Sequence, residues 1–522
     1  MPITATLGRH RGKKVLTAAL IGIGVAVGVF LLALASVVPF SSETARSKLV
    51  DALASRFESE VDLDRLRLRV LPRLRASGET LTVRHKGRRD VPPLISISSL
   101  AAEGGIAPLL GKHVSLVTLE GLDIQIPPRN REEADASTKP TGSPIKPPFV
   151  IDELVASNAR LVLIPRQSDK TPKVWTIHDL RMTSVAFDRA MPFDATVTNA
   201  IPPGDIVTSG TFGPWRGDEP SLTPLDGAFT FEQADLSVFK GISGILSARG
   251  TFGGRLDEIE VRGDSLTPEF ALASIGHPIP LRASYHTVVD GTNGNTFLKR
   301  IDASFLNTSL VASGDVVDDT PGVPGRRVTL DITMDSARLE DILWLAVKSP
   351  NAAMTGALTL KTRMEIPPED EDVVQKLKLD GTFSITGTRF TNLDIQQKVD
   401  ELSRRSRGRP AAPRAAGVTS DFRGRFRLAD GVLTIPAVAF DVPGAIVRLS
   451  GTYGLTSEAI DFRGTLLMDA KLSETVTGFK SLLLKLVDPL FRGENGGSAI
   501  PIRITGRRSN PSFGLDKGRI FS

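Results

Sequence analysis

The chain contains no cysteine. That excludes disulfides, thiolate metal sites and a cysteine nucleophile, and it suits a periplasm, though many cytosolic chains also lack cysteine. Histidine is scarce too. His10, His85, His113, His178, His277 and His286 lie far apart, and none belongs to an HExxH or similar zinc spacing. There is no GxxxxGKS/T phosphate loop and no GxSxG nucleophile elbow. The acidic run Glu369-Asp370-Glu371-Asp372 sits in a Pro-flanked polar segment and reads as a solvated loop rather than paired catalytic carboxylates. These absences point away from an enzyme, and no cofactor or metal is expected. A net charge of +5 over 522 residues is modest, and no stretch interleaves aromatics with a basic stripe, so nucleic acid is not an expected partner. Two Tyr and three Trp stand against 24 Phe, which makes the aromatics mainly apolar filler.

What the sequence does have is one long apolar run. Val15 to Val38 carries no ionisable side chain. At ~1.5 Å per residue it reaches about 36 Å, enough for a hydrocarbon core of roughly 30 Å. Arg9, Arg11, Lys13 and Lys14 precede it with no acid among them, which keeps the short N-terminus cytoplasmic and sends the remainder across. A cleaved signal is the competing reading. Its apolar core should be only about 7–15 residues long, although Ala33-Leu34-Ala35 offers an A-x-A pattern. Gly24 and Gly28 are spaced as a GxxxG pair, a pattern that arises easily in a Gly/Ala-rich span.

Beyond the run, SSETARSKLVDALASRFESE reads as an amphipathic helix with Ala45, Leu49, Leu53 and Phe57 on one face. The period then changes. In DRLRLRV, Leu66, Leu68 and Val70 alternate with Arg65, Arg67 and Arg69, the mark of a strand with one wet face. Further β-like runs follow: ETLTVRH, LISISSL, HVSLVTLEGLDIQI, ARLVLIP, TIHDLRMTSVAF and FDATVTN. Pro127 to Pro148 is rich in proline and charge without period, a loop or linker.

A weak recurrence follows: Gly210-Thr211-Phe212, Gly250-Thr251-Phe252, Gly381-Thr382-Phe383 and Gly451-Thr452-Tyr453. Its spacing is irregular, so it suggests meander hairpins, or glycines that end strands, rather than a strict solenoid. Helices are expected at SARLEDILWLAVKS, at LDIQQKVDELSRRSR leading into a basic loop, and at LSETVTGFKSLLLKLVDPLF. The last of these places Leu472, Val476, Phe479, Leu483 and Leu486 on an apolar stripe suited to packing on a sheet, covering a groove end or touching a membrane. The basic loop carries Arg404, Arg405, Arg407, Arg409 and Arg414, and is either a solvated loop or a contact for anionic head groups.

The C-terminal third resembles the AsmA-like family of Gram-negative envelope proteins. The likeness rests on DFRGRFRLADGVLTIPAVAFDVPGAIVRLSGTY, on TVTGFKSLLLKLVDPLF and on IPIRITGRRSNPSFGLD; near the N-terminus, VDLDRLRLRVLPRLRASGETLTV is similar to the family's opening strand pair. These patterns are diffuse, and no catalytic motif comes with them. The resemblance implies a bacterial inner-membrane protein with a periplasmic body, associated with outer-membrane assembly and phospholipid movement, and related to TamB-like bridge-type lipid transporters. This chain is shorter than family members that span the periplasm.

The expected fold is mainly β with a few helices: a transmembrane helix, then an elongated, curled antiparallel sheet forming a half-open groove. The expected regions are a cytoplasmic tail (1–14), an anchor (15–38), a helix with strands (41–126), a linker (127–149), a middle β-rich region (150–368) and a C-terminal β-rich region with an amphipathic helix (369–522). Leu66, Leu68, Val70, Leu116, Ile124 and Ile126 are the candidate groove-lining residues. Phospholipid and outer-membrane assembly proteins are the candidate partners. Alternation alone does not distinguish an open trough from a dry sandwich, and a non-enzymatic assembly factor offering a strand edge stands beside the lipid reading.

Overall fold

The computed structural model describes residues 59–69, 74–85, 93, 95–105, 113–126, 150–163, 173–186, 188–216, 219–273, 275–318, 323, 325–368, 371–391, 393–407, 418–470 and 498–516. It also describes Glu43, Arg46, Ser47, Val50, Asp51 and Ala54, all helical. The apolar run 15–38 and the helix expected around 472–486 lie outside the described residues. Among the described residues no helix is long and apolar enough to cross a membrane.

The chain is mainly β, and its strands form a large open sheet. Two compact units make it up. The first takes the residues up to Asp235 with Leu246–Asp264 and Thr287–Thr296; the second takes Leu236–Ile245, Ser265–His286 and the residues from Phe297 on. The boundaries read from composition at 150 and 369 do not coincide with these units.

In the first unit, β1 (Ser59–Arg69), β2 (Leu74–His85), β3 (Ile95–Gly104) and β4 (His113–Ile126) form an antiparallel meander. β5 (Val150–Leu163) then pairs with β4 in parallel, with Val117 opposite Leu154. This corrects one expectation: the sheet is not wholly antiparallel. β6 (Lys173–Val185), β7 (Met191–Thr198), β8 (Asp205–Phe212) and β9 (Pro224–Asp235) continue the antiparallel order.

Leu63, Leu81, Ile95, Ile97, Leu119, Leu122 and Ile151 are fully buried in one cluster shared by β1–β5, with Val50 and Ala54 of the preceding helical segment packed against it. Each such side chain stabilises the fold by about 1.5–3 kcal/mol relative to exposure. The opposite face of β1 stays wet: Arg65, Arg67 and Arg69 are exposed, as the alternation predicts.

Six strands contribute to both units or follow directly: β10 (Ile242–Ser243), β11 (Ile245–Arg255), β12 (Glu258–Leu272), β13 (Ile279–Val289), β14 (Thr296–Phe305) and β15 (Thr308–Val317). In the second unit β15 opens an antiparallel run with β16 (Arg327–Arg338), β17 (Met354–Ile366), β18 (Lys378–Phe390), β19 (Ser420–Ala429), β20 (Val432–Val442), β21 (Ala445–Gly454), β22 (Ala459–Met468), β23 (Ser498–Arg507) and β24 (Asn510–Leu515). Among the described residues three helices interrupt it: α1 (Leu339–Ala346), α2 (Val373–Lys376) and α3 (Leu393–Ser406). Asp372, from the acidic run read as a loop, caps α2 by accepting from the Val374 amide at 2.8 Å.

The Gly-Thr-aromatic recurrence does more than punctuate hairpins. Turns follow three copies, but the glycines themselves sit within the ladders, on the apolar side, where the next strand leaves no room. An ideal Cβ would lie 2.0 Å from the Asp226 oxygen at Gly210, 2.3 Å from the Lys361 oxygen at Gly381 and 2.1 Å from the Asp461 oxygen at Gly451. Rings from neighbouring strands lie beside these glycines. Phe193 is opposite Gly210, Phe383 opposite Gly424, Phe426 opposite Gly381 and Phe462 opposite Gly451. Glycine admits this close approach, and the ring restores the apolar contact that the missing side chain forfeits.

Candidate functional site

The strands of the second unit alternate between register shifts such as those at Arg425/Arg427 and Ile435/Val438, and cross-strand pairing aligns their apolar residues into rows. One row reads Leu330, Met364, Leu379, Leu428, Leu433, Tyr453 and Ile460, each opposite the next. Another reads Leu358, Ile385, Phe422, Phe440, Val447, Leu466 and Ile500. Together with the rows between them they make one continuous apolar face. The crowded glycines Gly381, Gly451 and Gly464 belong to this same side.

Burial along the face is graded. In the row through Phe440 most side chains are buried, because the helices cover that end. Leu339, Ile342 and Leu343 of α1 pack against Met334, Leu358 and Ile385. Val399 and Leu402 of α3 pack against Phe440, Val442 and Val447. Phe422 stacks on Phe440 at 4.6 Å, and Phe390 meets Phe440 edge-on at 6.3 Å. In the row through Tyr453 every residue except Leu428 is only part-buried. The apolar face thus has a sealed end beneath α3 and an end that remains accessible.

The reverse face is charged. Arg363 pairs with Asp331 at 3.7 Å, Arg427 with Asp380 at 3.3 Å and Arg503 with Asp461 at 3.3 Å. The hydrogen bond from Arg423 to Asp441 raises the guanidinium pKa further above its ordinary value. On β14, the Arg300 hydrogen bond holds the Asp302 carboxyl below the usual carboxylate range. Exposed pairs of this kind are screened by water and add little to stability, so this face is chiefly a solubilising one.

Of the residues expected to line a groove, Leu66 and Ile124 are 6% and 0% exposed within the packed core of the first unit. Leu116 is part-buried, on the other side of β4 from Val117 and Leu119. Leu68 lies on β1 and Ile126 ends β4; Val70 lies outside the described residues. So do Leu472, Val476, Phe479, Leu483 and Leu486.

The expected basic loop begins inside a helix. Arg404 and Arg405 occupy the last turn of α3, and Arg405 pairs with Glu401 one turn back. The Arg407 Nε donates to the Ser403 carbonyl at 3.2 Å. Arg409 and Arg414 lie outside the described residues. Among the described residues no group of His, Asp and Glu is arranged to hold a metal ion.

No family model, curated protein or solved structure matches the chain. The functional reading therefore stands on the geometry of the chain itself.

Proposed function

We propose that the chain is an inner-membrane-anchored, periplasmic lipid-handling protein of the AsmA-like kind, which shelters phospholipid acyl chains along the apolar face of β15–β24. The observation that carries the reading is the graded row pattern. A dry core would bury both ends of the face alike, whereas here the row from Leu330 to Ile460 stays accessible while its reverse side is charged. Each acyl methylene moved from water onto such a face gains about 0.8 kcal/mol, so a two-tailed lipid has ample drive to enter. No catalytic group is needed for this activity. The 15–38 run would hold the trough beside the bilayer from which lipid is taken.

The test is native mass spectrometry of the full chain, extracted from membranes in mild detergent. Bound phospholipid is expected. A chain that emerges lipid-free, and stays so after incubation with phospholipid vesicles, refutes the proposal.

The second reading is an assembly factor that docks extended segments of outer-membrane proteins. The observation favouring it is β24, a short strand with Pro511, as sheet edges often carry, and with Leu515 53% exposed. Cross-linking in cells separates the two, since adducts to β-barrel precursors rather than lipid support docking.

A further inference from the structure

The accessible end of the trough is not purely apolar. Tyr453 interrupts the row between Leu433 and Ile460, and Glu458 and Arg508 lie near enough to its phenol to act on its charge. Arg508 is in turn paired with Glu458. Its Nη2 and Nε lie 2.8 and 3.1 Å from Glu458 Oε1, and the two side chains are 29% and 31% exposed. Arg423, in the ion pair on the reverse face, is 72% exposed by comparison. The backbone fixes the group as well: the Arg508 amide donates to the Glu458 carbonyl at 3.0 Å, and the Glu458 amide to Gly454 at 2.9 Å.

Glu458 also stands in the left-handed region, at φ 55. Glycine or asparagine would sit there with less strain, so a glutamate at this turn points to a use for its carboxylate. Two turns, β21–β22 and β23–β24, thus deliver one cation, one anion and one phenol to the rim of an apolar trough.

We propose that Tyr453, Arg508 and Glu458 form the headgroup end of the trough and select a zwitterionic phosphate–ammonium headgroup. The inference rests on the lipid-handling reading above. The headgroup phosphate accepts from the remaining Arg508 donors and from the Tyr453 hydroxyl, which matches the planar fork of a guanidinium. The ammonium meets Glu458, whose Oε2 takes no part in the Arg508 pair. An anionic headgroup without an ammonium would leave Glu458 facing like charge, which is the basis of the discrimination. The tails then run toward Phe390, Phe422 and Phe440 beneath α3. On β21 the part-buried stretch from Tyr453 to Leu449, before the residues sealed under α3, is about 13 Å at ~3.3 Å per residue, close to the roughly 15 Å depth of one bilayer leaflet.

The experiment uses the full chain in mild detergent, incubated with vesicles of equal parts phosphatidylethanolamine and phosphatidylglycerol, with bound lipid read by native mass spectrometry. The wild type is expected to retain phosphatidylethanolamine severalfold over phosphatidylglycerol. Glu458→Gln, close to isosteric, should bring the ratio to that of the vesicles while total bound lipid is unchanged. Equal retention of the two lipids by the wild type, or an unaltered preference in Glu458→Gln, overturns the headgroup assignment and leaves the trough standing. Absence of any bound lipid overturns the trough, and this inference with it. A second measurement needs no variant. Phosphatidylethanolamine carrying a photoreactive group at its tail terminus should label the peptide bearing Phe440 and Val447. Labelling concentrated at Tyr453 and Ile460 reverses the orientation and refutes the assignment.

Discussion

Gly464→Ala puts the close-approach account to a test of sign. An alanine inside a strand ordinarily gains about 0.5–1 kcal/mol over glycine. At Gly464 the added Cβ would lie 1.8 Å from the Arg448 carbonyl oxygen and 3.0 Å from the Leu449 Cα, both backbone atoms. Ordinary contact begins near 3.4 Å, so β21 and β22 must separate by about 1.5 Å, a displacement that breaks the adjacent ladder bonds. Two such bonds at about 1 kcal/mol each, with their groups left poorly paired on a half-buried face, put the loss at about 2–4 kcal/mol. Gly514→Ala is the control, because a Cβ there meets nothing within 4 Å. Urea unfolding followed by circular dichroism should show Gly464→Ala losing stability and Gly514→Ala losing none. A Gly464→Ala protein as stable as the wild type would refute the claim that the strands close in on that glycine.

Asp341 is buried, and its Oδ2 accepts from the Asn307 amide and the Thr308 hydroxyl, each at 2.9 Å. Asp341→Ala strands these donors and should cost about 2–3 kcal/mol in denaturant titration, with Asp341→Asn losing less. Phe440→Ala removes a ring stacked on Phe422 and covered by α3, and should cost about 3–5 kcal/mol in the same assay. Burial, with Glu458 adding to it, raises the Tyr453 phenol above the ordinary tyrosine value of 10.0. The folded state therefore holds that proton when the unfolded state has lost it, and the stabilisation present below pH 10 declines as pH rises beyond it. Absorbance titration of the phenolates should show a component displaced upward that Tyr453→Phe abolishes.

Strands were readable from the sequence wherever one face is wet. Arg65, Arg67 and Arg69 against Leu66 report such a strand unambiguously, and α1 was readable from Leu339, Ile342 and Leu343. Alternation carries no information about what lies over the apolar face. Leu66 and Leu449 have the same pattern, yet Leu66 is buried in a packed core while Leu449 is only part-buried. The parallel pairing of β4 with β5 was hidden because the segment between them looks like a linker. Glycine was ambiguous for a physical reason: it ends strands and it also permits close approach, and only the neighbour opposite Gly381 or Gly451 decides between the two. The Tyr453–Arg508–Glu458 group left no motif, since its members come from β21 and two separate turns far apart in sequence. For strands in close approach, the pairing of mid-strand glycine with a cross-strand ring is the usable signal.

The central claim is that the apolar face of β15–β24 meets lipid while its reverse face does not. Adjacent residues of β23 test it within a single strand, because Ile504 belongs to the apolar face and Arg503 to the charged one. A photoreactive amino acid placed at each position in turn, in the full chain in living cells, should capture phospholipid at Ile504 and not at Arg503. Equal capture at both positions, or none at Ile504, would contradict the account.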